Sequence, residues 1–208
     1  MNQLFKNREH AGILLAATLK AYQNGENVVV LAIPRGGVVL GDIIAGYLNA
    51  PLEVVLVKKI GHPLVKEFAI GAVSKDKRIL TFDEGVSQEY VESETRSVRA
   101  KIEAQYQLFY RDRKPISLEH KKVIIVDDGI ASGNTLLLVI EVVKNSNPDK
   151  VIVAVPVAPE DIIGRLKSIV DEVICLEVPF PFHAVGSHYQ HFDQVDSETV
   201  VQLLNAKY

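Results

Sequence analysis

Two adjacent carboxylates, Asp127 and Asp128, directly follow a run of four apolar residues at 123–126. Gly129 comes next, and small or hydroxyl-bearing residues continue to Thr135, where a helical pattern begins. In open α/β sheets, ligands bind beyond the carboxyl ends of the strands. The segment therefore places two acids and a loop of small residues where an α/β protein would bind its ligand.

The loop after the two acids has the composition of a phosphate-binding turn. A small-residue loop that leads into a helix offers backbone N–H groups and the positive end of the helix dipole to an anion. Gly129 and Gly133 permit close approach of the backbone, and the hydroxyls of Ser132 and Thr135 are further donors. Acids beside an anion site indicate a ligand that also carries sugar hydroxyls, or a divalent cation that the acids help to hold.

Each part of this segment also has an ordinary structural explanation. Asp-Asp-Gly after a strand is often a turn, and Ser, Thr or Asn before a helix is often an N-cap. The joint occurrence of all the parts at this spacing favours a binding site. The segment lacks the Gly-Lys-Ser/Thr of nucleoside-triphosphate loops and the Gly-x-Gly-x-x-Gly of dinucleotide sites. Both of those motifs are therefore excluded.

Short apolar runs rich in Val and Ile predict the strands that position these residues. They do not alternate with polar residues, so they are typical of a parallel sheet that is covered on both faces. Helical patterns at 38–48, 135–144 and 161–169 follow three of the runs. We predict an α/β fold with an open, mainly parallel sheet flanked by helices. The five predicted strands are 28–33, 52–57, 123–126, 151–155 and 173–176.

The stretch between the second and third runs, residues 58–120, is longer than one crossover needs. Its predicted elements are, in order, a hairpin of 69–73 with 79–82 around residues 75–77, and a helix over 87–113 that Pro115 ends. These elements are additions to the alternating α/β pattern.

Further segments lie at the two ends of the chain. Residues 4–23 predict an amphipathic helix, residues 179–196 have the character of a loop, and a last helix is predicted at 197–206. We interpret residues 1–208 as one domain. The segments at about 58–120 and 179–196 are expected to form a small cover, or hood, over one edge of the sheet.

Composition and charge exclude several classes of protein. The 208 residues are 48% hydrophobic and 24% charged, which is typical of a globular domain. A net charge of −3 provides no basic field for a nucleic acid. Cys175 is the single cysteine, so no intrachain disulfide can form. No apolar run approaches the roughly 20 residues of a membrane span, and no signal peptide is recognisable, so we expect a cytoplasmic protein.

Residues 123–135 resemble the phosphoribosyl-diphosphate (PRPP) binding motif of type I phosphoribosyltransferases, in which an apolar strand, two acids and a small-residue loop follow one another. The resemblance implies that Asp127 and Asp128 engage the ribose hydroxyls and Mg²⁺, directly or through water. These two acids are also the nearest candidates for catalytic residues. Ser132 stands where many members have Thr and keeps the hydroxyl. The implied 5′-phosphate loop comprises Gly129, Ala131, Ser132, Gly133, Asn134 and Thr135.

Two other segments match positions where this family contacts the pyrophosphate of PRPP. Arg35, Gly36 and Gly37 follow the first predicted strand, where a short loop would bring backbone amides and one cation to the pyrophosphate. Lys58 and Lys59 follow the second predicted strand, where basic residues often reach the same group. A plain turn and a solvated strand end are the structural alternatives for these two segments.

The resemblance also implies a mobile loop at residues 61–66 that closes over the active site. His62 and Lys66 are the side chains that could reach inward, although His62 is better explained as a surface residue. Closure has a physical purpose, because the ribosyl centre becomes oxocarbenium-like and would otherwise react with water.

The tail of the chain occurs where purine-type members place the segment that faces the base. Phe182 could stack on a heterocycle, and Val185 could offer backbone hydrogen bonds. His188 stands near where hypoxanthine–guanine enzymes have an aspartate, which weakens a purine assignment. A metal site of His183, His188 and His191 is disfavoured, because no carboxylate or cysteine accompanies them at ligand spacing.

Taken together, the Pro-Arg-Gly-Gly loop, the acid pair and the Ala-Val-Gly-x-x-Tyr-x-x-Phe tail resemble an uncharacterised branch of the family over nearly the whole chain. The implied function is a Mg²⁺-dependent transfer of a 5-phosphoribosyl group from PRPP to a nitrogenous base, by a homodimer in nucleotide metabolism or salvage. One alternative is a non-catalytic PRPP or nucleotide sensor on the same fold. Another is a phosphatase or kinase-like α/β enzyme that uses the acid pair.

Overall fold

A computed structural model of the chain describes residues 4–66, 68–75, 77–80, 85–111 and 113–206. Its strands are β1 (Val28–Ala32), β2 (Leu52–Val54), β3 (Lys58–Gly61), β4 (Ala69–Val73), β5 (Arg78–Leu80), β6 (Lys122–Val126), β7 (Lys150–Val157) and β8 (Glu172–Glu177). Five of them form a parallel sheet in the order β2-β1-β6-β7-β8. The open parallel sheet predicted from the apolar runs is therefore confirmed.

Helices cover both faces of this sheet. They are α1 (Arg8–Thr18), α2 (Gly36–Leu48), α3 (Gln88–Tyr110), α4 (Asn134–Lys144), α5 (Glu160–Lys167) and α6 (Ser197–Asn205). Because strand side chains alternate between faces, Val30 and Ile124 pack in one core with α1 and α2, while Leu31 and Ile125 pack in a second core with α4 and α5. Within the described residues, no helix combines the length and the apolar character that crossing a membrane requires.

Polar side chains at the helix starts set where several helices begin. The side chain of Asn7 accepts a hydrogen bond from the His10 amide at the start of α1 (2.9 Å), and Asp196 accepts one from the Thr199 amide at the start of α6 (2.7 Å). Each cap satisfies a backbone N–H that has no partner within the helix. The chain therefore enters both helices in a defined direction.

A second sheet of three antiparallel strands, β3-β4-β5, stands apart from the parallel sheet and packs on α3. The pairing of 69–73 with the following strand is confirmed, whereas Asp76 of the predicted turn and residues 81–82 of the second arm lie outside the described residues. The prediction of one strand over 52–57 is wrong. That strand ends at Val54, and Lys58 begins β3, because the chain pairs there with a later segment, β4.

The long helix α3 begins close to its predicted start and ends before its predicted end. The side chain of Ser87 accepts a hydrogen bond from the Tyr90 amide and caps the helix. The helix ends at Tyr110, because Arg111 adopts a left-handed backbone conformation with φ of 52°. Pro115 therefore does not end the helix.

A buried carboxylate joins the end of α3 to the edge of the parallel sheet. Tyr110 donates a hydrogen bond to Glu53 on β2 (2.5 Å), and Arg113 forms an ion pair with the same carboxylate (3.2 Å). Burial raises the pKa of Glu53, and the bonds from Tyr110 and Arg113 oppose that rise. We call these three residues the Glu53 cluster.

The order of the parallel strands reverses between β1 and β6. From β1 the chain crosses to β2 on one side, and from β6 it crosses to β7 and β8 on the other. Loops that leave adjacent strands in opposite directions open a crevice at their carboxyl ends, which is where doubly wound sheets bind ligands. The loops after β1 and β6 are those that carry Arg35 and Asp127.

Candidate active site

The acid pair lies at the carboxyl end of β6, where the loop after β1 packs against it. Asp127 and Asp128 are both partly exposed, and the Asp128 amide donates a hydrogen bond to Asp127 Oδ1 (2.9 Å). A Cβ added to Gly36 would lie 2.6 Å from Asp128 Cγ, and one added to Gly37 would lie 2.8 Å from the Val126 carbonyl oxygen. Glycine is therefore required at both positions for the two loops to touch.

The electrostatics of the pair favour a cation. Burial and the neighbouring Asp128 charge raise the pKa of Asp127 well above its usual range, and the charge of Arg8 lowers it in part. Two neighbouring carboxylates repel each other when both are ionised. Ionising both of them therefore costs free energy unless positive charge is nearby. Positive charge beside the pair, such as that of Arg8, therefore favours the ionised form of Asp127.

The loop after the acid pair leads directly into α4. Gly133 is the N-cap of this helix and has a φ of +73°, a left-handed conformation that glycine adopts without strain. A Cβ on Gly129 would lie 2.5 Å from Val185, so the loop and the tail of the chain are in contact. The remaining residues of the predicted phosphate loop are exposed at the start of the helix: Ala131, Ser132, Asn134 and Thr135.

Arg8 completes this edge and was not predicted from the sequence. Its Nε lies 2.8 Å from Asp128 Oδ2, its Nη1 donates to the Asp193 carbonyl (2.6 Å), and its guanidinium carbon lies 3.8 Å from the centre of the Phe192 ring. Arg8 and Asp128 are 120 positions apart in the sequence. No local motif could have indicated the contact.

The start of the chain and the backbone of Asp128 hold the tail over the acid pair. The start of the chain runs beside residues 188–191, with a bridge between Phe5 and Tyr189 and a hydrogen bond from the Gln190 amide to the Phe5 carbonyl (2.8 Å). Tyr189 donates its hydroxyl hydrogen to the Asp128 carbonyl (2.6 Å). Burial and the nearby Asp128 carboxylate raise the pKa of Tyr189, so its hydroxyl stays protonated.

The two lysines predicted near the pyrophosphate occupy different environments. Lys58 is partly buried and lines a cavity of about 90 Å³ together with Pro34, in the loop after β1, and Thr135, in the first turn of α4. Lys59 is exposed on β3. Arg35 is partly exposed and precedes α2 as its N-cap residue. The structure thus brings Lys58 to a cavity beside Pro34 and Thr135, and Arg35, Gly36 and Gly37 do not line that cavity.

The loop at 61–66 is attached to α3 through its lysine. Lys66 Nζ contacts the Tyr90 hydroxyl (2.7 Å) and lies 3.7 Å from Glu94. His62 accepts a hydrogen bond from the Leu64 amide (3.2 Å), and the Leu64 side chain is 87% exposed. Lys66 is thus held along α3, whereas His62 contacts the Leu64 amide and the ring of Phe68.

The two residues predicted to face a base, Phe182 and Val185, contact different parts of the structure. Val185 packs on Gly129, next to the acid pair, whereas the Phe182 ring lies 5.3 Å from the imidazole of His188. His188 is 6% exposed, and its burial lowers its pKa, so the ring is neutral at pH 7. The structure thus buries a neutral imidazole beside the Phe182 ring.

The residues of the acid pair fit Mg²⁺. Carboxylate oxygens are its preferred protein ligands, and Mg²⁺ in phosphate-binding sites commonly uses only one or two of them, with the remainder from water and phosphate. Among the described residues, no group of three or more His, Cys, Asp or Glu side chains could hold a metal ion, and this includes the three histidines of the tail. A cation at the acid pair would therefore need ligands from water or substrate.

A doubly wound sheet with an acid pair and two glycine loops at its strand reversal defines an α/β protein of the kind that binds phosphorylated ligands. The family model described as "Phosphoribosyl transferase domain" matches residues 2–191. The chain belongs to the phosphoribosyl transferase family.

Several individual proteins are similar to the chain. It is 38% identical to "Putative phosphoribosyl transferase MT0597" of Mycobacterium tuberculosis (strain CDC 1551 / Oshkosh), over 98% of this chain and 47% of that protein. The crystal structure of TT1426 from Thermus thermophilus has a TM-score of 0.86 and 39% identity, over 98% of both chains. The AQ2163 protein of Aquifex aeolicus, with a TM-score of 0.51 and 16% identity over 96% of this chain and 83% of that one, shares the fold. The chain spans about half the length of the curated relatives that it matches.

Proposed function

We propose that the chain transfers a 5-phosphoribosyl group from PRPP to a nitrogenous base and releases pyrophosphate. The observation that carries this proposal is the contact between the two loops at the strand reversal, where Gly36 lies against the Asp128 carboxylate. PRPP carries its ribose hydroxyls, its 5′-phosphate and its pyrophosphate on one ring. A site for it must therefore join an acid pair to anion-binding loops on either side.

Each part of the site has one task in this reaction. Asp127 and Asp128 accept hydrogen bonds from the ribose hydroxyls and stay close to the positive charge that grows on the ring. Backbone amides of the loop 129–135, at the start of α4, bind the 5′-phosphate. Arg35 and the amides of Gly36 and Gly37 bind the pyrophosphate, with Lys58 nearer than Lys59. Phe182 and Val185 are proposed to face the base.

The chemistry is a displacement at C1′ of the ribose. The bond from C1′ to the pyrophosphate oxygen breaks, and the departing oxygen keeps the electron pair. A ring nitrogen of the base forms the new bond to C1′, and the proton of that nitrogen leaves to water or to the released pyrophosphate. Mg²⁺, when bound with PRPP, neutralises part of the pyrophosphate charge. The chain itself contributes positioning and a fixed electrostatic environment, which are large effects for such transfers.

We also propose that residues 61–66 move inward when substrate binds. Lys66 would then leave Tyr90, and the exposed Leu64 would cover the reacting centre and exclude water. A homodimer in the cytoplasm remains our expectation, and sedimentation of the purified chain measures the number of subunits directly.

The experiment that tests the proposed function combines PRPP and Mg²⁺ with a panel of purine and pyrimidine bases and measures pyrophosphate release. We expect base-dependent release with at least one base. The double variant D127N/D128N is expected to lower turnover by about a thousandfold or more, since it removes both charges at the ring. Normal turnover by a folded double variant would contradict the proposal, and PRPP binding without release with any base would favour the sensor.

A further inference from the structure

Arg8 contacts the acid pair from outside the segments that resemble the PRPP motif. Its guanidinium is restrained on three sides: by the Asp128 carboxylate (2.8 Å), by the Asp193 carbonyl (2.6 Å) and by the Phe192 ring, whose centre lies 3.8 Å away. The side chain of Arg8 is 11% exposed and that of Asp128 is 15% exposed. Exposed ion pairs contribute little because water screens them, and this pair is largely shielded.

The backbone around Arg8 is also fixed. Asn7 caps α1 immediately before it, and the Lys6 carbonyl accepts a hydrogen bond from the His191 amide (2.9 Å). The chain start and the tail therefore position Arg8 jointly. Because both bonds hold the backbone on either side of Arg8, its position is fixed by the fold and not by its ion pair alone.

Arg8 also lies beside the loop that follows β1. A Cβ added to Gly36 would lie 3.0 Å from Arg8 Nε and 2.6 Å from Asp128 Cγ, so any larger residue at this position would collide with the Arg8–Asp128 ion pair. A cavity of about 330 Å³ is lined by Arg8, Arg35 and Gly36, with residues of the tail on its other side. Two guanidinium groups and a glycine line this cavity. Such a lining suits a polyphosphate, because one guanidinium group can donate two parallel hydrogen bonds to the oxygens of a phosphate.

We propose that Arg8 is a positioning residue for PRPP. It fixes the Asp128 carboxylate for the ribose hydroxyls, from a place beside the cavity of Arg35 and Gly36 that we propose takes the pyrophosphate. This inference rests on the proposed function of the site. It adds a residue from α1 to a binding site that the sequence places entirely on the loops after the strands.

The test is a set of calorimetric titrations with PRPP in the presence of Mg²⁺. R8M keeps the length of the side chain and removes the charge, whereas R8K keeps the charge and removes the planar fork. We expect R8M to weaken PRPP binding about tenfold or more, and R8K to show an intermediate loss. K144M removes one positive charge at the far end of α4, and this exposed site should leave PRPP binding within about twofold of wild type.

A double-variant cycle separates positioning from general charge. If Arg8 acts through Asp128, R8M should weaken binding much less in the D128N background than in the wild-type chain. Equal losses in both backgrounds would overturn the proposal, as would wild-type affinity in R8M. Should R8M unfold, as shown by its melting temperature, R8K decides: an intermediate affinity supports the proposal and a wild-type affinity contradicts it. Absence of PRPP binding by the wild-type chain would instead refute the proposed function, and this inference with it.

Discussion

Two carboxylates of this fold are each paired with an arginine and each lie near a tyrosine hydroxyl, yet their surroundings differ. In the Glu53 cluster, Tyr110 and Arg113 both bind the carboxylate itself, and the Glu53 side chain is 2% exposed. At the acid pair, Arg8 binds the Asp128 carboxylate, while Tyr189 binds the backbone carbonyl of the same residue. The Asp128 side chain remains 15% exposed.

The comparison shows how one set of residue types supports two roles. Glu53 lies on β2, at the edge of the sheet, and its bonds join the end of α3 to that strand. Asp128 lies at the strand reversal, beside a second acid, a glycine loop and a cavity lined by two arginines. We therefore interpret the Glu53 cluster as a stabilising contact and the acid pair as a binding site.

The largest effect is expected from E53A. It removes the carboxylate that accepts the bonds from Tyr110 and Arg113, and breaking a buried ion pair costs about 3–5 kcal/mol of unfolding free energy. E53Q keeps hydrogen-bonding atoms and should lose less. Urea unfolding measures both variants, and PRPP affinity below the transition should stay unchanged. A loss of PRPP affinity that parallels the loss of stability would contradict the interpretation that the Glu53 cluster stabilises the fold and has no part in binding.

The next largest effect is expected from G36V. The added side chain would occupy the position of the Asp128 carboxylate, so we expect PRPP binding to weaken by about a hundredfold, or 2.7 kcal/mol. G164A is the control, because a Cβ at Gly164 in α5 meets no atom within 4 Å. It should leave binding unchanged and raise stability by about 0.5–1 kcal/mol. Calorimetry with PRPP and Mg²⁺ would contradict the account if G36V bound as well as G164A.

Removing each tyrosine hydroxyl gives a matched and smaller test. Y110F removes a bond to a carboxylate and should cost about 1.5–3 kcal/mol of stability, whereas Y189F removes a bond to a carbonyl and should cost about 0.5–1.5 kcal/mol. Only Y189F should also weaken PRPP binding, by a few fold, since it loosens the backbone of Asp128. The reverse order in either measurement would argue against the assigned roles.

Much of this fold could be predicted from the sequence because its signals are local. The apolar runs at 123–126 and 151–155, the acid pair and the glycines of the loop before α4 lie within short segments, and each matches a single element of the sheet or its edge. The start of α3 was likewise marked by Ser87, which caps it.

The remaining features depend on contacts between distant segments. Lys58 begins β3 because the chain there pairs with β4, and no pattern near Lys58 distinguishes this from a continued β2. Arg8 reaches Asp128 only because the chain start runs beside residues 188–191. The period of apolar residues along a sequence indicates which face of a helix or strand is buried. It carries no information about which arginine contacts which acid in the folded chain.

The smallest effect concerns an ion pair remote from both regions. Lys150 Nζ lies 2.7 Å from Glu172, and this bond, with another from Tyr22, lowers the pKa of Glu172 below its ordinary value of 4.5. A lowered pKa gives stability that is present above pH 4.5 and is lost as the pH falls through the folded-state pKa. E172Q should therefore flatten the acid side of the stability curve, as measured by urea midpoints between about pH 5 and pH 3. An unchanged slope would contradict this assignment.

The central claim is that the acid pair binds the ribose of PRPP at the strand reversal. Calorimetric titration of the wild-type chain and of D127N/D128N with PRPP, at a fixed Mg²⁺ concentration, tests it most directly. The account predicts binding by the wild-type chain and a loss of about a hundredfold or more in the double variant, with both proteins measured well below their melting temperatures. Equal affinity for PRPP in the two folded proteins would contradict it.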